Sequence, residues 1–132
     1  MTYLDLTKSA MAVICEDPSL TFGVEDYQTR AQFLLATFLT QYTPLDAIYR
    51  EANGIEHVEI DTNIVSVDLD DTFSLCEVFV PAAVQYLASA LIIDENEEMS
   101  DKFFDRYINI ILEIRKSLPA TQGAIVDRYD LT

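Results

Sequence analysis

Val78-Phe79-Val80-Pro81-Ala82-Ala83-Val84-Gln85-Tyr86-Leu87-Ala88-Ser89-Ala90-Leu91-Ile92-Ile93 is a sixteen-residue run without a charge, in which Gln85 and Ser89 are the polar positions. Its length and composition suit a helix, and a helix apolar on nearly every side has to be covered on most of them. The run falls short of the roughly 20 apolar residues that a membrane crossing needs. It is therefore expected to pack in protein as the central core helix, with any interface confined to the face that other helices leave open. Pro81 suits a first turn, and Ser74 with Glu77 three residues later has capping-box spacing.

Past Asp94-Glu95-Asn96, a helix is expected over 97–118. It opens with acids and closes with Arg115 and Lys116, which complements its dipole. Phe103, Phe104, Tyr107, Ile108, Ile111, Leu112 and Ile114 give it a broad apolar face. Pro119 ends it. The tail over 119–132 carries Ile125, Val126 and Tyr129 as candidate docking residues, but is too short for a core of its own, so it either frays or docks on a partner.

On the other side of the run, Val58, Ile60, Ile64, Val65 and Val67 are β-branched, and polar alternation replaces the helical period. Strands over 57–60 and 64–69 are expected to pair across Asp61-Thr62-Asn63 as a hairpin leaning on helices or on a neighbouring subunit. Further back, Tyr27, Ala31, Leu34, Leu35, Phe38 and Leu39 mark a helix over 24–41. Thr43 and Pro44 fit the N-cap and first turn of a further short helix over 45–52, stopped by Asn53-Gly54. Leu6, Ala10, Val13 and Ile14 mark a first helix over 3–15 that stops at Asp17-Pro18. The expected fold is mainly α, a small helical bundle of about four to five helices with an inserted β-hairpin over 57–69. At 132 residues, with short connections and no repeat, it forms one domain over 1–132.

Charge is distributed regionally. Residues 1–50 hold six acids and three bases, 51–101 thirteen acids and no base, and 102–132 four acids and five bases. The net charge of −15 argues against ordinary nucleic-acid binding, which neutralises phosphates with lysine and arginine. Cys15 and Cys76 are too few for a disulfide framework, which points to free thiols and a cytosolic origin, a single Cys15–Cys76 disulfide being the alternative. Met1 to Ile14 lacks the pattern of a secretion signal.

No catalytic constellation emerges. His57, flanked by Glu56 and Glu59, reads as a surface histidine, since no nucleophile motif accompanies it. Asp94, Glu95, Glu97, Glu98 and Asp101 offer oxygen ligands without the EF-hand spacing, and a solvated helix junction with acids at the helix start is the favoured explanation for them. Asp68, Asp70 and Asp71 read as turn residues. Glycine phosphate loops, Cys-x-x-Cys pairs and His-Glu-x-x-His motifs are absent. The expectation is a non-enzyme with no cofactor and no metal.

Asp68-Leu69-Asp70-Asp71-Thr72-Phe73-Ser74-Leu75 leading into Val80-Pro81-Ala82-Ala83-Val84-Gln85-Tyr86-Leu87-Ala88, then Ile93-Asp94-Glu95-Asn96-Glu97-Glu98 and Phe103-Phe104-Asp105-Arg106-Tyr107, resembles small bacteriophage head–tail connector (adaptor, head-completion) proteins over roughly residues 25–118. The N-terminal segment and tail fall outside the resemblance. It implies a virion structural protein at the neck, made in the bacterial host cytoplasm. Such subunits form a homo-oligomeric ring, commonly a dodecamer, below the portal protein, contact the tail or stopper protein, and extend the channel through which DNA passes. The resemblance implies no membrane and no catalytic residue. Asp68, Asp70 and Asp71 become candidate channel-facing or docking acids, since carboxylates would repel the DNA backbone. Two other readings stand beside it: an acidic DNA-mimic inhibitor and another helical protein-binding module.

Overall fold

The computed structural model describes residues 1–14 and 24–119. Four helices follow in order: α1 (Tyr3–Val13), α2 (Val24–Ala52), α3 (Val80–Ile92) and α4 (Glu97–Lys116). A single 3-10 turn, Glu77–Phe79, leads into α3, and Pro81 sits in the first turn of that helix.

As its composition demands, α3 packs against all three other helices. Ala82, Ala83, Leu87, Ala88 and Leu91 are buried, and the alanines allow close approach of neighbouring backbones. Leu6, Ala10 and Met11 of α1, Leu35, Phe38 and Leu39 of α2, and Phe103, Tyr107 and Ile111 of α4 complete the core. Phe38, Tyr42, Tyr86 and Tyr107 join α2, α3 and α4 through ring contacts, with the Tyr42 and Tyr107 hydroxyls hydrogen-bonded to each other. Ser89 is buried too, and its hydroxyl donates to the Ser100 carbonyl at 3.0 Å while the Ser100 hydroxyl donates back at 2.8 Å. This reciprocal pair satisfies both polar groups and pins α3 to the first turn of α4.

The helix ends are chemically specified. Thr2 and Asp5 form a capping box on α1. The next free donors of that helix, Tyr3 N and Leu4 N, bond the carbonyls of Asp71 and Leu69 at 3.0 and 2.9 Å. Asn96 caps α4 by accepting from Met99 N. Gly54, at φ +67, takes the left-handed conformation that stops α2 where Asn53-Gly54 implied.

Four expectations are corrected. The helices expected over 24–41 and 45–52 are one helix, so there is no fifth. Thr43 does not cap: its hydroxyl donates back to the Leu39 carbonyl. Pro44 costs a hydrogen bond inside α2, but the chain on both sides of it is anchored by buried Tyr42, Leu45 and Asp46, which hold the helix through the defect.

The hairpin over 57–69 does not form, and no strand occurs among the described residues beyond one isolated bridge, Thr2 to Thr72. Backbone groups of the expected second strand are bonded elsewhere. Val67 N donates to the Gln32 carbonyl of α2, and Gln32 Nε2 donates to the Val67 carbonyl. Leu69 and Asp71 cap α1, as above. Val67 is buried against the bundle, whereas Val58 and Val65 stay exposed.

Nor does Ser74 form a capping box with Glu77. It lies too early, for Cys76 occupies the N-cap position. The Ser74 hydroxyl instead bonds the Tyr3 hydroxyl at 3.0 Å. Finally, α4 ends at Lys116 and not at 118. The first helix is described only to Ile14, so its expected stop at Asp17-Pro18 lies outside the described residues.

Candidate functional site

The most elaborate polar arrangement is buried where α2 ends. Asp46 Oδ2 accepts from Arg50 Nε at 2.8 Å, and Asp46 Oδ1 accepts from the Cys76 backbone N–H at 2.8 Å. Arg50 goes on to donate to the carbonyls of Glu56 and Ser74, at 3.0 and 3.2 Å. One guanidinium thus fastens both ends of the irregular segment 53–76 to α2. An aspartate and an arginine four residues apart on a helix is a readable pair, but its burial is set by where the segment returns.

This arrangement holds structure and not a reaction. Burial, reinforced by the Asp46 charge and hydrogen bond, pushes the Cys76 thiol up to about 11. It therefore stays protonated and is a poor nucleophile at neutral pH. The hydrogen bond from Arg50 to Asp46 keeps the guanidinium firmly charged.

The acids of the middle segment are placed very differently. Asp68 Oδ1 accepts from Asp70 N at 2.9 Å, and the Asp68 carbonyl accepts from Asp71 N at 3.0 Å, forming the turn that sits over the start of α1. The Asp68, Asp70 and Asp71 side chains are exposed, as are all thirteen acids of residues 51–101. Among the described residues, no lysine or arginine forms an ion pair with any of them, and Glu59 meets only His57, at 3.2 Å. Both partners in that contact are solvent-facing. No group of three or more histidine, cysteine, aspartate or glutamate side chains among the described residues is arranged to hold a metal ion. Glu95 accepts a hydrogen bond from Tyr27, tying the α3–α4 junction to α2.

Two apolar surfaces remain open. On α3 itself only Pro81 is bare, and Ile93, just past its end, is 50% exposed. On α4 the apolar face expected from sequence divides in two. Phe103, Tyr107, Ile111 and Ile114 turn inward, while Phe104 and Leu112, each 47% exposed, and half-buried Ile108 between them form a stripe on the outside at i, i+4, i+8 spacing.

The second surface is a groove of about 560 Å³ between the end of α2, the entry to α3 and the end of α4. Tyr49, Val78, Pro81, Ile110 and Ile114 line it, with Asn109, Glu113 and Ser117 also in its wall. One turn beyond Pro81 on α3, Gln85 Oε1 is buried with no hydrogen-bond partner among the described residues. The candidate tail residues Ile125, Val126 and Tyr129 lie outside the described residues.

No helix among the described residues is long and apolar enough to cross a membrane. No family model, curated protein or solved structure matches the chain.

Proposed function

We propose that the chain is a non-enzymatic virion structural protein, a head–tail connector subunit that assembles into a ring below a phage portal, extends the DNA channel and joins the tail. The Phe104–Ile108–Leu112 stripe is the observation that carries this reading. A subunit of a closed ring needs a lateral contact, and an ordered apolar stripe on the outside of a complete bundle is the kind of surface that marks one. The exposed, cation-free acids supply the second requirement, a surface that repels a passing phosphate backbone and lets it slide. The sequence resemblance to connectors supplies the name of the assembly, and dodecamers are the common case there.

Exchanging Phe104→Asp together with Leu112→Asp tests the reading, because both positions are already half exposed in the bundle. Negative-stain imaging and mass measurement with the portal protein of the same genome should show rings on the portal for the native chain. The double variant should remain a folded monomer that decorates no portal. A native chain that binds neither itself nor the portal defeats the reading.

The exposure of all thirteen acids also favours a second reading, a DNA-mimic inhibitor that fills the basic groove of a nucleic-acid enzyme. It predicts a stoichiometric complex with such an enzyme, dissociated by salt, and no ring.

A further inference from the structure

We infer that the groove between α2, α3 and α4 is the docking site for the C-terminal segment of the same chain, with Ile125, Val126 and Tyr129 as its occupants. The inference does not depend on the connector reading. The groove is open and apolar where it meets Val78, Pro81, Ile110 and Ile114, and its volume of about 560 Å³ is in the range that takes a few side chains.

The position of the chain's exit argues for this occupant. Ser117 is part of the groove wall, and the chain leaves α4 immediately after it. Pro119 cannot continue the helix, and Gly123 permits a reversal of direction that other residues resist. The eight residues from Ser117 to Ile125 reach at most ~26 Å. Ile110 lies only ~10 Å back along the axis of α4. The segment therefore spans the groove with length to spare.

Composition agrees. The apolar residues Ile125, Val126 and Tyr129 are grouped just beyond Gly123, and Arg128, the only cation past Pro119, could join the exposed Glu113–Lys116 pair at the rim. A segment tethered at the rim is present at an effective concentration in the millimolar range, far above that of a free partner or of another copy's tail.

The chain contains no tryptophan, so Tyr129→Trp in the full-length protein places one reporter in the segment. Its emission should be blue-shifted and several-fold less accessible to acrylamide than a solvated tryptophan, and unchanged over about a hundredfold dilution. Adding Ile110→Asp, with circular dichroism confirming the helices, should move the emission to that of exposed tryptophan.

Should that variant unfold, removal of residues 120–132 gives an independent measure. The shortened bundle should bind an apolar dye several-fold more strongly, and a peptide of residues 120–132 should displace the dye. A tryptophan exposed at every concentration overturns the inference. So does protection that appears only as concentration rises, which would place the segment on another copy.

Discussion

Helix α3 and the segment 53–76 are both rich in apolar residues, yet they are held to different degrees by side-chain burial and by single backbone contacts. Three helices surround α3, and its burial is shared among many side chains. The segment buries Val67 and, at its end, Phe73, Leu75 and Cys76, and is otherwise tied by hydrogen bonds to Gln32, Arg50, Tyr3 and Leu4. Apolar content alone therefore does not decide whether a stretch becomes regular structure. What decides is whether neighbours are present to cover it and whether its backbone groups find partners.

The largest effect that would break this contrast is at Leu87, which is fully buried in α3. Leu87→Ala should cost about 4 kcal/mol in urea unfolding. All protected amides, in α3 and in the segment alike, should lose protection together. Survival of α3 protection would show that the helix is not the common support.

Asp46→Ala should cost about 3 kcal/mol, because it leaves Arg50 charged in a buried place and the Cys76 N–H without its acceptor. Here the loss should be uneven, with hydrogen exchange rising at Val67 and Phe73 well before Leu87. A uniform loss would mean that the segment is not separately anchored.

A smaller effect sharpens the contrast through pH. Cys76 keeps its proton to about 11 in the folded chain against 9.0 for an ordinary thiol. The unfolded chain releases that proton first, so stability is intact below pH 9 and falls as pH rises toward 11. The decline should reach about 2 kcal/mol. Burial also raises Tyr86 and Tyr107, which adds to the decline at higher pH. In thermal melts between pH 8.5 and 10.5, Cys76→Ala should lose a visibly smaller part of its stability than the native chain. An identical decline in the two proteins would remove Cys76 as the cause.

Much of the bundle was legible from periodicity. The start of α4, the stop of α2 at Gly54 and the central place of α3 follow from composition and local chemistry. The path of the stretch over 57–69 reads wrongly as a hairpin, because alternating β-branched residues report an extended backbone and not its partner. In this fold the partners are Gln32 and the start of α1, distant in sequence. The continuity of α2 through Pro44 was hidden likewise, since buried Tyr42 and Leu45 offset a local defect through tertiary contacts. As for the site, Asp68, Asp70 and Asp71 were found as a turn, in which the Asp68 carboxylate and the backbone groups do the structural bonding while the Asp70 and Asp71 carboxylates face solvent. The outward stripe of α4 was read only as part of one broad face, because the split depends on where α3 lies.

Arg50 also works as a cross-link. By gripping the carbonyls of Glu56 and Ser74 at once, it closes the stretch between them into a loop, as a disulfide does with two sulfurs. Loop-closure entropy grows only with the logarithm of length, so residues can be gained or lost at the loop's exposed positions, away from Val67 and the Leu69 and Asp71 carbonyls, at little cost to the bundle. The acids at Glu59, Asp61, Asp68 and Asp70 lie inside that loop. The charged surface can therefore drift in evolution, and with it whatever the protein repels or binds, while the four helices stay as they are.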